Sequence, residues 1–259
     1  IGRNAFRVCF MDKVVIPSSV NEIGDEAFAF NSLKKIEVAP GNKVFKTTLD
    51  KRCLLKSGKL IAFAPSGLSS YQLPQGITEL GDYVFHSMDI KEITLPKSLE
   101  KIGKKAFYNC LRLKSIAIPE NVTEISNGAF TGTKLEKISV EAGNSVYRMS
   151  EDESCLIDSN NKLLLYVGGD KKRYSVAEGI TEIADGAFYN SNLEKIILPE
   201  GLQVIGDEAF QNAGWITSIS IPNTVIKIGK NVFDDCSNLK YIYIPEDLEI
   251  DENFKHCQE

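Results

Sequence analysis

The chain has 259 residues, 43% of them apolar, and a net charge of -5 from 30 Lys and Arg against 35 Asp and Glu spread along its length. That balance leaves no basic stripe for nucleic acid or for an anionic membrane surface. No apolar run approaches the roughly 18 residues that cross a bilayer, so no membrane insertion is expected of this segment.

The chain opens on Ile1-Gly2, the start of a phrase that returns nine times: an Ile-Gly pair, two polar residues, a small residue, a Phe, then a Leu-x-x-Ile-x-Ile-Pro run. It is plainest at residues 23–38, 102–119 and 228–245. A period of 22 to 23 residues is too short for an independent domain, so each copy reads as one coil of a solenoid resting on its neighbours. One elongated domain over 1–259 is expected, with partial coils at both ends. Because Ile1 falls on the Ile column, an N-terminal neighbour beyond it is also expected.

Aligned coil on coil, the Phe column holds Phe6, Phe28, Phe85, Phe107, Phe130, Phe188, Phe210, Phe233 and Phe254. It reads as a core ladder, each ring contributing about 2 kcal/mol by burial. A small residue precedes most of these rings, at Ala5, Ala27, Ala106, Ala129, Ala187 and Ala209, where the backbone packs closely. The Gly of the pair gives way to Ser126 and Ala184, so a positive φ is not obligatory there. Segments such as residues 115–119 and 218–222 alternate apolar and variable residues with the period of two of a strand, one strand per coil in a parallel sheet. Pro17, Pro74, Pro96, Pro119, Pro199, Pro222 and Pro245 close these strands, since Pro has no N–H to extend a ladder.

Counting Ala39, Glu141 and Ala177 as substituted members, the closing positions are spaced 22, 35, 22 and 23 residues apart and then 22, 36, 22 and 23, which makes 17–118 and 119–221 two copies of one larger unit of about 102 residues. Each long spacing holds an insert, near 41–72 and 143–175, that opens on Gly-Asn and contains two apolar runs around a turn. Residues 53–63 and 155–166 are predicted β-hairpins that project from the solenoid or thicken one edge of it.

The Ile-Pro, Ile-Gly, Ala-Phe and Asn/Cys columns, with the Gly-Asn insert and the renewed start at Pro74 to Thr78, resemble the BspA-like bacterial leucine-rich repeats over essentially the whole chain. The resemblance implies a right-handed β/α superhelix, β-rich, with a parallel sheet on one face and short turns or 3-10 segments on the other. It also implies a secreted or surface-attached bacterial protein, extracellular or on the cell surface, of adhesin or host-interaction type.

Six Cys invite a metal or disulfide, but Cys9, Cys110, Cys236 and Cys257 all follow the column Phe by three and read as inward-facing thiols. Only Cys236 and Cys257, one coil apart, approach disulfide distance. Cys53 and Cys155 hold equivalent places in the two inserts and should not pair. His86 and His256 are read as surface residues beside a column Phe, too few for a metal site. Glu151-Asp152-Glu153 and Lys171-Lys172-Arg173 are read as solvated turns. No metal, no cofactor and no catalytic residue is expected, since no nucleophile elbow, zinc-binding helix or phosphate loop occurs.

The outward residues of the strands form a continuous lane, Val15, Glu37, Gln72, Thr94, Ala117, Ser139, Ser175, Ile197, Ser220 and Tyr243. A flanking lane runs through Lys13, Lys35, Glu92, Lys137, Arg173, Lys195 and Tyr241. Toward the C-terminus the lanes gain aromatics, and Trp215 stands just before a strand. The expected contact patch is therefore Arg173, Lys195, Ile197, Trp215, Ser220, Tyr241 and Tyr243. The reading is a monomeric, non-enzymatic module that binds a protein, or alternatively a glycan, along its curved face. A spacer without ligand and a hydrolase using scattered acids such as Glu37 and Glu92 are the alternatives.

Overall fold

A computed structural model describes residues 1–246 and 248. Phe254, His256 and Cys257 lie outside the described residues, so the last rung of the Phe column, the second His and the Cys236–Cys257 pair do too. Two compact units are present, residues 1–144 and 145–259, and the division falls at the Gly-Asn that opens the second insert.

In the first unit the strands are β1 (Lys13–Ile16), β2 (Lys35–Val38), β3 (Lys46–Thr47), β4 (Cys53–Lys56), β5 (Lys59–Phe63), β6 (Ser70–Gln72), β7 (Glu79–Leu80), β8 (Glu92–Thr94), β9 (Lys101–Ile102), β10 (Ser115–Ile118), β11 (Glu124–Ile125) and β12 (Lys137–Val140). In the second they are β13 (Tyr147–Met149), β14 (Cys155–Asp158), β15 (Lys162–Tyr166), β16 (Arg173–Ser175), β17 (Glu182–Ile183), β18 (Lys195–Ile197), β19 (Val204–Ile205), β20 (Ser218–Ser220), β21 (Lys227–Ile228) and β22 (Tyr241–Tyr243).

The anticipated strands form the first ladder. In unit 1 β12, β10, β8 and β6 are neighbours, and in unit 2 β16 pairs with β18 and β20 with β22, all in parallel. Alternation decides which side is buried. In β18 Lys195 and Ile197 are exposed while Ile196 points into the core, and β16, β20 and β10 repeat the pattern. After most of these strands Pro stops the ladder and its carbonyl opens a turn, as in Leu99 N–H to Pro96 O and Val122 N–H to Pro119 O; Ala39, Glu141 and Ala177 accept the turn bond in the other coils.

No helix occurs among the described residues, which corrects the β/α expectation. The place of the helical side is taken by a second parallel ladder, β11-β9-β7-β5 in unit 1 and β15-β17-β19-β21 in unit 2, whose strands other than the insert's β5 and β15 have two residues each. Two residues are too few to show any periodicity in sequence. The inserts form hairpins as expected, but they do not project as separate arms. β5 pairs in parallel with β7, β15 with β17, and the hairpin partners β4 and β14 extend the same ladder antiparallel. The recurrent Gly-Asn has a clear purpose: Asn42 Nδ2 donates to Pro17 O at 2.7 Å and Val20 O at 3.0 Å, and Asn144 Nδ2 to Pro119 O and Val122 O at 2.8 and 3.0 Å. Each Asn thereby ties its insert to the turn of the preceding coil.

A third set of inter-coil bonds runs through the turns that carry the Phe column. Every second amide donates to the next coil, as Tyr83 to Lys104, Phe85 to Ala106 and Ser87 to Tyr108. The amides between them close three-residue turns within the coil, as His86 to Tyr83 O. This alternation demands a left-handed residue at two places per coil, four apart. Tyr83 and Ser87, Lys105 and Asn109, and Glu208 and Asn212 have φ of 51° to 60° there, while Gly128 and Gly132 take the same places in their coil. Each non-Gly residue in that conformation costs about 1–2 kcal/mol, offset by the amide ladder it permits.

The Phe rings stack as expected. Phe85, Phe107 and Phe130 lie 5.1 and 5.4 Å apart with planes within 12°, and Phe188, Phe210 and Phe233 lie 5.2 and 5.6 Å apart within 15°. Where the inserts interrupt the column, Phe63 packs on Phe85 at 5.3 Å and Tyr166 on Phe188 at 5.0 Å, so the hairpins supply the missing rungs. Phe6 departs from the expectation. It stacks on Phe28 at 5.7 Å but is 39% exposed, having a rung on one side only among the described residues. The Gly of the Ile-Gly pair is set by close approach: a Cβ on Gly103 would lie 2.6 Å from Leu80 O, and one on Gly229 2.4 Å from Asp207 N.

Candidate functional site

The thiols come first, because they are the chemically softest groups present. Cys110 Sγ donates to Phe85 O at 2.9 Å and Cys236 Sγ to Phe210 O at 3.1 Å, the carbonyl of the preceding coil's column Phe. Asn31 uses its amide in the same way, at 2.6 Å to Phe6 O, which explains why Asn and Cys interchange in this column. Burial pushes the Cys110 and Cys155 thiols up to about 12 and Cys53 to about 11. None of these three is a nucleophile at neutral pH. Cys9 contradicts the inward reading: it is exposed, on the first coil, whose turn has a neighbour on one side only among the described residues.

Both inserts carry one polar knot. In unit 1 Tyr71 OH donates to Asp50 at 2.7 Å and lies 3.6 Å from Cys53 Sγ. In unit 2 Tyr174 OH lies 3.1 Å from Cys155 Sγ, and Lys171 Nζ bonds Asp152 at 2.8 Å and Ser154 Oγ at 2.6 Å. Asp152 is thus a turn-fixing carboxylate; burial raises its pKa, but the bonds from Lys171, Ser150 and Ser154 outweigh it and hold the group below its usual range. The knots staple hairpins and leave no open position for a substrate.

His86 is not the surface residue expected. Its Nδ1 lies 2.5 Å from Glu26 Oε1, with side chains only 12% and 8% exposed, and its ring meets Phe30 and Tyr108 edge-on. The insert coil has no Phe turn of its own, so the turns of residues 24–29 and 82–88 face each other directly and the pair bridges them. Of the two acids named for the hydrolase alternative, Glu37 is tied up by two lysines. Hydrogen bonds from Lys13 and Lys51, each at 2.7 Å, hold Glu37 down at about 2, which leaves no proton for a general acid. Among the described residues no cluster of three His, Cys, Asp or Glu side chains could hold a metal, and no helix is long and apolar enough to cross a membrane.

The remaining site lies on the open face of unit 2. Parallel pairing sets Arg173 beside Lys195 and Ser175 beside Ile197, and likewise Ser218 beside Tyr241 and Ser220 beside Tyr243. Between the two pairs the ladder is broken: β18 and β20 share no registered residue pair among those described. The cause is a length change, because the coil leading to Ser218 is one residue longer between its column Phe and its strand than the coil leading to Lys195. The spare length brings Trp215 to the surface, 55% exposed. A shallow depression of about 420 Å³ results, lined by Arg173, Glu194, Lys195, Trp215, Thr217 and Asn238. Lys172 Nζ sits 5.1 Å from the Trp215 ring centre and 3.6 Å from Glu194, so the basic run is part of the site and not a plain solvated turn. Arg173 and Lys195 make no ion pair among the described residues. Three of the seven expected contact residues, Arg173, Lys195 and Trp215, therefore line one depression; Ile197, Ser220, Tyr241 and Tyr243 lie on the strands beside it, both Tyr 62% exposed. Glu194, Thr217 and Asn238 were not anticipated, because they precede their strands and no alternation marks them.

A family model described as the BspA type leucine rich repeat region matches residues 1–61, 55–155 and 171–258, in six copies. No curated protein matches the sequence. Among solved structures, a leucine-rich repeat protein from Eubacterium ventriosum is 25% identical with a TM-score of 0.65, over 95% of this chain and 58% of its own; the present chain thus spans little more than half its length. The pneumococcal vaccine antigen PcpA is 24% identical with a TM-score of 0.63, over 92% of this chain and 67% of its own. A leucine rich cell surface protein from Faecalibacterium prausnitzii is 22% identical with a TM-score of 0.66, over 99% and 80%.

Proposed function

From this chain's membership of the BspA-type leucine-rich repeat family, which the matched repeats establish, we propose that it is a non-enzymatic module, extracellular or at the cell surface, that binds a protein partner over the open face of its parallel strands. The observation that carries the reading is the gathering of Ile197, Trp215, Tyr241 and Tyr243 in exposed positions on one face of unit 2. The fold does not need them there. Its core is complete beneath them in Ile196, Ile219 and the Phe rungs, so these side chains are exposed against the hydrophobic effect with no structural return. Large aromatics in such positions are the residue types that anchor interfaces. The surface placement rests on analogy with similar proteins described as a vaccine antigen and a cell surface protein.

The test is a binding screen of the chain against purified extracellular matrix proteins and, in parallel, a glycan array. A matrix protein that binds wild type and is lost on Tyr241→Ala with Tyr243→Ala, at unchanged melting temperature, supports the reading. Capture by glycans alone would turn it into the carbohydrate-binding alternative, and no binding in either arm would favour the spacer.

A further inference from the structure

Resting on that reading, we infer that the depression around Trp215 is the docking point for an acidic segment of the partner protein, its carboxylates held by Arg173 and Lys195 and a neighbouring apolar side chain seated against Trp215. Arg173 and Lys195 stand in a charge placement that the fold disfavours. Parallel in-register pairing puts Arg173 and Lys195 directly beside each other on β16 and β18, on strands about 4.8 Å apart, where like charges destabilise a sheet. In unit 1 Lys13 stands beside Lys35 in the same way, but there Lys13 and Lys51 share Glu37, and Arg112 meets Asp89 at 2.9 Å. Here Glu194 is 3.6 Å from Lys172. Neither Arg173 nor Lys195 has a counter-charge among the described residues, so the surface is complementary to one brought by a ligand.

The broken ladder supplies the second observation. The shallow depression of about 420 Å³ beside the break between β18 and β20 has room for a side chain, and Trp215 forms its apolar wall. A peptide is favoured over a sugar by what surrounds the gap. Lys172 already covers the Trp215 ring, and Ile197, Tyr241 and Tyr243 continue the contact surface along the strands, beyond the reach of a single saccharide. Arg173 adds bidentate geometry, which matches a carboxylate in a way that an ammonium group does not.

The experiment pans a displayed library of short random peptides against the chain, with the double variant Arg173→Glu, Lys195→Glu and the single variant Trp215→Ala as counter-targets. The expected result is enrichment of Asp and Glu next to apolar residues, with binding that weakens as salt is raised and falls by about tenfold or more in the double variant. Enrichment without acidic residues, no enrichment at all, or equal binding by the double variant would overturn the inference; so would a concentration-dependent dimer of the chain lost in that variant, which would assign the depression to a second copy. Failure of the broader reading looks different. A matrix protein that binds the double variant as tightly as wild type sinks the acidic dock and leaves the binding module standing, whereas a chain that binds no protein at all removes both.

Discussion

The strands β6, β8, β10 and β12 of unit 1 answer one by one to β16, β18, β20 and β22 of unit 2, and the backbone does the same thing at the same step. Between β8 and β10 only Ser115 and Glu92 remain in register, and between β18 and β20 nothing does. In both cases a coil is followed by one that is a residue longer ahead of its strand. The side chains at the step are unlike. Unit 1 places Arg112 where unit 2 has Trp215, Glu92 where it has Lys195, and Ser70 where it has Arg173; Arg112 is paired with Asp89, and Lys114 with Glu136. The loosened ladder is thus a property of coil length, present in both units, while the unneutralised cations and the exposed aromatic belong to one. The proposed dock thus uses a feature that the repeat supplies anyway.

The comparison can be broken or sharpened by mutation. The largest effect is expected at the rungs, where the units should behave alike: Phe107→Ala and Phe210→Ala, both fully buried, should each cost about 3–5 kcal/mol in chemical denaturation. Hydrogen exchange should place each loss in its own unit. Next come the tight glycines. Gly103→Ala and Gly206→Ala force a Cβ to within 2.6 and 2.5 Å of neighbouring atoms and should cost about 1–3 kcal/mol, whereas Ala184→Gly, at a coil that already carries a Cβ, should cost less. Cys110→Ala removes the donor to Phe85 O and should cost about 1–3 kcal/mol, with Cys110→Asn testing whether the amide used at Asn31 can substitute. In the folded chain at pH 8 a thiol reagent should label Cys9 and spare Cys53, Cys110 and Cys155, read by peptide mapping.

A smaller effect separates the units in acid. Asp50 and Asp152 are buried enough to be raised, but hydrogen bonds from Thr48 and Tyr71 to Asp50, and from Lys171, Ser150 and Ser154 to Asp152, carry both below their ordinary value. A depressed carboxylate stabilises the fold above its unfolded pKa of about 4, and the contribution is lost as pH falls through the folded value. Asp152→Asn should therefore destabilise more than Asp50→Asn at pH 7, because only Asp152 has a Lys partner, and both differences should shrink as the pH is lowered below about 4. The smallest change in stability is expected for Trp215→Ala, an exposed substitution worth within about 0.5 kcal/mol, although it removes the apolar wall and should weaken the peptide binding proposed above.

What the sequence showed and what it hid follow from the reach of side-chain patterns. Alternation over three or four residues exposed the first ladder, and one Phe per coil exposed the core; both are side-chain signals. The second ladder spans two residues per coil, and the turn ladder is made of main-chain amides whose left-handed residues include Tyr83, Lys105 and Glu208, so neither leaves a composition to read. Phe63 and Tyr166 complete the ring stack from hairpins whose docking no spacing reveals. His86 meets Glu26 because the insert coil omits a turn, a contact between residues 60 positions apart. At the candidate site the outward lane was visible, hence Arg173, Lys195 and the two Tyr. The depression was not, because it arises from a mismatch between consecutive coil lengths and not from any residue type.

The inter-coil amides of the Phe turns donate toward the following coil, Tyr83 to Lys104 and Lys105 on to Asn127, so the column has a direction. The residue after the column Phe varies along this seam, His86 and Tyr108 in unit 1 and Tyr189 and Gln211 in unit 2, while the amide bonds beside it stay the same. A protein engineer inherits the same licence, with one prohibition: the two left-handed places in each coil must keep residues that can take a positive φ, as even Val8 does in the first coil, and a proline replacement there would unfasten the seam.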